Sequence, residues 1–176
     1  MRFEVQHDAP YPRERLFVAH RDRFPALVEH MPEVRSVSER SRAHHADGSV
    51  VVRNRWQGSK AAVPLLFRAL VPEEVLVWED ETRFDMRTWT CTWTLTIPGL
   101  GPMADVAGVH RYLERGQGSR IELEGDFDFH PERAPQVTLP PGSTPVIERM
   151  IVGLIVPLIT RSGEAMVEAI RREDGR

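Results

Sequence analysis

Polar and apolar residues alternate along several parts of the chain, and alternation with a period of two predicts β-strands that have one buried face. The clearest example is RTWTCTWTLTI at 87–97. The odd positions from 89 to 97 are apolar, whereas threonine occupies every even position from 88 to 96. We predict that this strand buries Trp89, Trp93 and Leu95 on one face, either as filled core or as the aromatic wall of a cavity.

Weaker patterns predict the other elements. Asp47-Gly48 is a strong signal for a hairpin turn between two strands. Two short helices are expected after the first strand, at about 12–20 and 22–30. The remaining strands are predicted at about 2–6, 33–43, 49–57, 63–71, 75–84, 106–115 and 119–129, of which 63–71 and 75–84 form one strand or two.

A long helix is predicted from about Thr144 to Arg172, and at about 1.5 Å per residue it would reach across a whole domain. Its second half carries a charged stripe at helical spacing, which is the solvent face of an amphipathic helix. The stripe consists of Arg161, Glu164, Glu168 and Arg171. The opposite face, which we expect to meet the sheet, consists of Val152, Ile155, Ile159, Met166 and Ile170.

The first half of this helix contains the uncharged run MIVGLIVPLI at 150–159, which is shorter than the roughly 20 apolar residues that span a bilayer. Traced backward, the line of the charged stripe meets Met150, Leu154 and Pro157, which are all apolar. Either the connection at 131–142 covers these three residues, or they form an exposed patch for homodimer formation, another partner or transient membrane contact. Pro157 also predicts a kink or a break in the helix.

An antiparallel sheet with one apolar face needs a covering layer, and the long helix is the obvious one. We therefore predict an α+β fold in a single domain, 1–176. In this fold, a curved antiparallel sheet of about six to seven strands wraps around the C-terminal helix, with two short helices after the first strand.

Composition and charge exclude several classes of function. A net charge of −3 gives no general attraction to nucleic acid, which we do not expect as a partner. The single cysteine, Cys91, excludes an internal disulfide and a CxxC site. The N-terminus lacks the apolar segment of a signal peptide, so we expect a cytoplasmic protein. No phosphate-loop, dinucleotide-binding, zinc-protease or hydrolase motif occurs, so we expect neither a cofactor nor a metal.

His110 and Tyr112 are the most informative polar candidates, and the direction in which they face depends on the turn that follows them. If Gln117-Gly118 form a two-residue hairpin loop, both side chains share the apolar face of the last strand. A three-residue loop would instead turn Val109 and Leu113 inward. The residues alone leave both arrangements open.

The other candidate polar groups have simpler interpretations. His44 and His45 flank the predicted Asp47-Gly48 turn, and His20 lies at the end of a predicted helix, where exposure or capping is expected. Cys91 lies between two tryptophans on the inward face and is expected to be an inert thiol. The acidic run WEDE at 78–81 is typical of a solvated strand surface.

Several stretches together resemble one known superfamily. They are APYPRERLFVAHRDRFPALVEHMPEV at 9–34, DGSVVVRNRW at 47–56, GSRIELEGDFDF at 118–129 and the long C-terminal helix. In this order they resemble the START-like superfamily, also called SRPBCC, which includes polyketide cyclases and lipid-binding proteins like the birch pollen allergen. The resemblance implies a helix-grip fold with an apolar cavity between sheet and helix, and the binding of hydrophobic small molecules.

We therefore expect binding, sequestration or transfer of a lipid or polyketide-like molecule in an internal cavity. One alternative is a cyclase or dehydratase in which His110 is the general base and Tyr112 donates a hydroxyl hydrogen bond. Another alternative is an interaction module that acts through the apolar patch at 150–157. The predicted ligand contacts are Trp89, Trp93, Leu95, His110, Tyr112, Ile121, Leu123, Phe127, Ile155, Ile159 and Met166.

Overall fold

The computed structural model of the protein describes residues 1–23, 27–63, 65, 68, 72–135, 142 and 144–175. Within this range, the side chains of Ala62, Met150, Leu154, Ile155 and Ile159 are not described. The predicted ligand contacts of Ile155 and Ile159, and the predicted surface roles of Met150 and Leu154, therefore lie outside the described residues. The same holds for most of the connection at 131–142, one of the two alternatives for these apolar residues, since 136–141 are not described.

The described residues form seven strands and two α-helices. In chain order they are β1 (Arg2–Ala9), α1 (Arg13–Asp22), β2 (Val34–His44), β3 (Val50–Gly58), β4 (Val77–Asp85), β5 (Thr90–Thr96), β6 (Ala104–Arg115), β7 (Gly118–Phe129) and α2 (Thr144–Glu173). The strands pair as one antiparallel sheet in the order β1-β7-β6-β5-β4-β3-β2. The hairpin predicted at Asp47-Gly48 is confirmed, since His44 pairs with Val50 and Gly48 has a φ of 83°.

Helix α2 lies across the inner face of the sheet, with α1 beside it. Its backbone approaches β1, β7 and α1 most closely. Met166 and Ile170 are buried, as predicted for the inner face, whereas Arg161, Glu164 and Arg171 of the charged stripe are exposed. The predicted helix-grip architecture is confirmed.

Of the kink or break predicted at Pro157, the break does not occur, because α2 continues from Thr144 to Glu173 as one helix. Pro157 and Gly153, four residues earlier, are both exposed. The Gly153 carbonyl that loses its backbone partner therefore lies on the solvent side, where water can satisfy it. By length and composition α2 could also cross a bilayer. Ile151 and Ile170 are nevertheless buried within the protein, as in the core helix of a soluble domain.

The strand predicted at 87–97 begins later than expected. Residues 86–89 form a turn, and β5 begins at Thr90. Trp89 has a φ of 54°, which an aromatic residue seldom adopts and which interrupts the extended chain. Its ring packs edge-on against Phe17 of α1 at 5.4 Å between centroids, and the Arg13 guanidinium lies 4.8 Å above it.

The strand predicted at 63–71 is absent from the described part of that range, where Val63 lies in a bend, Leu65 in a 3-10 turn and Arg68 in a turn. The chain instead forms a 3-10 turn at Glu73–Leu76, directly after Pro72. Proline cannot donate a ladder hydrogen bond, so a strand does not continue through it. Where a second short helix was predicted, the described residues include a 3-10 turn at Val28–His30.

The hairpin between β6 and β7 decides which way His110 faces. Arg115 pairs with Gly118, so the loop consists of Gly116 and Gln117, one residue earlier than the predicted two-residue loop. His110 then lies opposite Leu123. Directly opposite residues of an antiparallel pair share a face, so His110 points inward, and so does Tyr112 two residues later. The three-residue alternative is wrong.

Candidate functional site

A cavity of about 140 Å³ lies between the inner face of the sheet and the middle of α2. It forms because α2 closes most tightly on β1 and β7, at one edge of the sheet, and leaves space under β3 to β5. Ile151 and Leu158 of α2 contribute to one wall. The other apolar residues in the walls are Met31, Trp56, Val75, Leu76, Trp78, Trp93, Leu95 and Ile97.

Three tryptophans form the aromatic part of the walls. Trp56 and Trp78 are cross-strand partners on β3 and β4, and their rings stack at 5.8 Å with an interplanar angle of 9°. Trp93 on β5 lies over its cross-strand partner Gly108. A Cβ atom at position 108 would come within 2.3 Å of Trp93 Cζ2, so the indole can occupy this place only because glycine has no side chain.

Asp80 is a buried carboxylate in the wall of this cavity, with 7% of its surface exposed. It accepts hydrogen bonds from Trp56 Nε1, from Thr82 Oγ1 at 2.7 Å and from Asn54 Nδ2 at 3.3 Å. Burial raises the pKa of Asp80, and the three donors oppose part of that rise.

The prediction that WEDE at 78–81 is a solvated surface is therefore wrong for its third residue. Asp80 lies on the same face of β4 as Trp78 and Phe84, two residues before and four residues after it. The large apolar residues at those even positions were the signal for burial, and three hydrogen-bond donors make the burial of the carboxylate tolerable.

A second polar cluster lies where α1 packs against the sheet. It consists of four buried side chains, those of His20, Cys91, His110 and Tyr112. Nδ1 of His20 is hydrogen-bonded to the Tyr112 hydroxyl. The rings of His20 and His110 lie 5.0 Å apart, and Cys91 Sγ lies 3.8 Å from Nδ1 of His110. His20, Cys91 and His110 also line the cavity. The expectation that His20 is exposed or serves as a cap is wrong, because the inner face of α1 packs against the sheet.

Burial controls the protonation of all four side chains in this cluster. It lowers the pKa of His110 to about 3, and it lowers the pKa of His20 well below the ordinary value, with a smaller contribution from His110. Both imidazoles are therefore neutral at pH 7. Burial also raises the pKa of the Cys91 thiol and of the Tyr112 hydroxyl well above their ordinary values, so both keep their protons.

Two buried polar atoms in the cavity walls have no hydrogen-bond partner among the described residues: Trp93 Nε1 and Glu33 Oε2. The other carboxylate oxygen of Glu33 forms an ion pair with Arg161 at 3.0 Å. Buried polar groups are almost always hydrogen-bonded, so a donor and an acceptor here are available to water or to a bound molecule.

The predicted contact residues fall into three groups. Trp93, Leu95 and His110 line the cavity, while Ile121, Leu123 and Met166 line, with His110, a separate space of only about 10 Å³. Tyr112, Phe127 and Trp89 are outside the described walls of both spaces: the first two are core residues, and Trp89 lies in the 86–89 turn. Sequence reasoning did not select His20, Glu33, Trp56, Trp78 or Asp80.

No protein-family profile and no curated protein sequence matches the chain. Solved structures do match. The protein TTHA0849 from Thermus thermophilus superposes with a TM-score of 0.69 at 15% identity, over 98% of this chain and 99% of that chain. The shared fold is the helix-grip fold. The Zhui aromatase/cyclase from Streptomyces sp. R1128 has a TM-score of 0.52 at 15% identity, over 94% and 93% of the two chains. For Ara h 8.0201 the TM-score is 0.52 at 14% identity, over 94% and 97%. Identities this low establish the helix-grip fold alone.

Proposed function

We propose that the protein binds a hydrophobic small molecule, a lipid or a polyketide-like ring system, in the cavity between sheet and helix, and sequesters or transfers it. The observation that carries the proposal is that three of the four tryptophans converge on one cavity whose walls are mainly apolar. A cavity with apolar walls and a few placed polar groups is the usual form of a small-molecule site.

The walls favour a flat, unsaturated molecule. The stacked pair of Trp56 and Trp78 offers a broad aromatic surface, and offset or edge-on ring packing contributes about 0.5–1.5 kcal/mol beyond area burial. Trp93 Nε1 and Glu33 Oε2 supply one donor and one acceptor that would orient polar substituents. One of the structural neighbours is named an aromatase/cyclase, which supports the polyketide-like class.

The proposal is tested by titrating the protein with the apolar fluorophore anilinonaphthalene sulfonate and following energy transfer from tryptophan. We expect saturable binding that Trp56→Ala weakens at least tenfold. Trp89→Ala is the matched control, because Trp89 packs on Phe17 outside the cavity. If the two variants have equal affinity, or if the wild type does not saturate, the cavity is not the binding site. Native mass spectrometry of protein purified from its host would identify the natural ligand.

A cyclase or dehydratase is the second candidate, and the position of His110 favours it. This imidazole lines the cavity and is neutral at pH 7, as a general base must be, but its pKa of about 3 makes it a weak base. Tyr112 is less suited to donate to a substrate, because its hydroxyl is engaged by His20 behind the wall. Turnover of a poly-β-ketone substrate that persists unchanged in His110→Ala would exclude this candidate.

We further propose a cytoplasmic location, which the single buried thiol of Cys91 supports, since nothing in the described residues requires an oxidising compartment. The interaction role of the apolar patch also stays a prediction. Pro157, its one member with a described side chain, is exposed.

A further inference from the structure

We propose that His20, Cys91 and His110 form a binding site for one zinc ion at the wall of the cavity. The three residues come from α1, β5 and β6, and the fold brings one potential ligand atom of each within 4.8 Å of the other two. All three side chains are buried. Zinc binding is independent of the proposed function, since a hydrophobic molecule would need no metal to enter the cavity.

The distances are close to those of a zinc site. Bond lengths of about 2.0 Å to nitrogen and about 2.3 Å to sulfur at tetrahedral angles place the two ligand atoms about 3.6 Å apart. Cys91 Sγ and Nδ1 of His110 are 3.8 Å apart. All three ligand atoms lie within 4.8 Å of one another, so a pair at that limit would approach by about 1.3–1.5 Å when zinc binds. Two imidazoles and a thiolate suit zinc, and they do not suit magnesium or calcium.

The protonation states agree with this role. Neutral imidazole is the form that coordinates a metal, and burial keeps both histidines neutral at pH 7. On coordination the Cys91 thiol loses its proton to solvent and binds as thiolate. A zinc ion bound by one thiolate and two neutral imidazoles carries a net positive charge of one, which would be buried. Asp80 lies close enough to Cys91 to influence it electrostatically, and its carboxylate would offset that charge.

The surroundings also resemble those of a metal centre. Nδ1 of His20 is hydrogen-bonded to the Tyr112 hydroxyl, and a hydrogen-bond partner on one ring nitrogen is usual for metal-bound histidine. All three residues line the cavity, from which a fourth ligand would reach the ion. Three protein ligands and one open position are typical of catalytic rather than structural zinc.

The test uses the full chain, reduced and freed of metal with a chelator. Cobalt titration of the wild type should produce one thiolate-to-cobalt charge-transfer band that saturates at one ion per chain. Zinc titration by calorimetry should give the same stoichiometry, with a Kd that rises at least 100-fold in Cys91→Ala. Tyr112→Phe keeps the ring and loses the hydroxyl, and we expect it to weaken zinc binding by about 10-fold.

The matched control is the double variant His44→Ala, His45→Ala, which removes two exposed histidines at the end of the β2–β3 hairpin and should bind zinc like the wild type. Loss of binding in this control, or unchanged zinc affinity in Cys91→Ala, would overturn the proposal. A wild-type cobalt complex that lacks the thiolate charge-transfer band would also overturn the proposal. This measurement uses the wild type alone and does not depend on whether a variant folds. Fluorophore binding measured in chelator tests the proposed function separately.

Discussion

Acid should destabilise the protein through His110, whose side chain is buried and neutral. The pKa of this imidazole is about 3 in the folded protein, against an ordinary value of 6.5. Between these values the unfolded chain binds a proton that the folded protein does not bind. The contribution of His110 to stability is therefore fully present above pH 6.5 and is lost progressively as the pH falls toward 3.

The size of this loss of stability follows from the interval between the folded and unfolded pKa values of His110. Each pH unit below the unfolded pKa costs about 1.36 kcal/mol per neutral histidine, so His110 alone costs about 2 kcal/mol at about pH 5. His20 acts in the same direction, because burial lowers its pKa too. Asp80 acts in the opposite direction: its raised pKa lets the folded protein bind a proton more readily than the unfolded chain. The wild-type profile alone therefore mixes these effects.

The assay is urea denaturation of the wild type and His110→Gln at a series of pH values from about 7.5 down to about 5. Glutamine is polar and does not titrate, so the difference between the two free energies of unfolding isolates His110. Between about pH 7.5 and about pH 5, we expect the free energy of unfolding of the wild type to fall by about 2 kcal/mol more than that of His110→Gln. His45→Gln, at an exposed site, should run parallel to the wild type. Parallel profiles for His110→Gln would refute the inference that burial keeps His110 neutral.

Three further predictions concern packing, hydrogen bonding and association. Gly108→Ala places a Cβ within 2.3 Å of the Trp93 ring and 2.4 Å of a backbone oxygen, and it should cost about 1–3 kcal/mol in urea denaturation. At Gly153 a Cβ meets no described atom within 4 Å outside the nearby backbone of its own helix. Gly153→Ala should therefore stabilise by up to about 1 kcal/mol through helix propensity, and similar effects of the two substitutions would contradict this reasoning. Thr82→Val removes a 2.7 Å hydrogen bond to Asp80 and should cost about 1–3 kcal/mol, so an unchanged urea midpoint would show that the bond contributes nothing. Leu154→Arg should reduce self-association in light scattering, and a monomeric wild type would count against the apolar patch as an interface.

The order of elements could be predicted because it depends on periodicity that is local to each segment. Alternation in β5 and β7 and the helical spacing of the charged stripe in α2 each specify which side chains face the core. The same parity argument limited His110 to two orientations, and the observed turn at Gly116-Gln117 selected the inward one. Prediction failed where contacts between elements outweigh the local pattern. Trp89 was predicted in a strand, but it lies in a turn and packs against Phe17 of α1.

The candidate site, in contrast, was decided by the tertiary structure. His20, Cys91 and His110 lie on three different elements. Their spacing in the sequence does not indicate that His20 of α1 packs against His110 of β6. Asp80 could have been placed by the alternation of β4, but its donors come partly from β3 and depend on strand register. The cavity is the least predictable feature, because its volume is set by the separation between α2 and the sheet. That separation is the outcome of packing along the whole helix, and no single segment of the sequence encodes it.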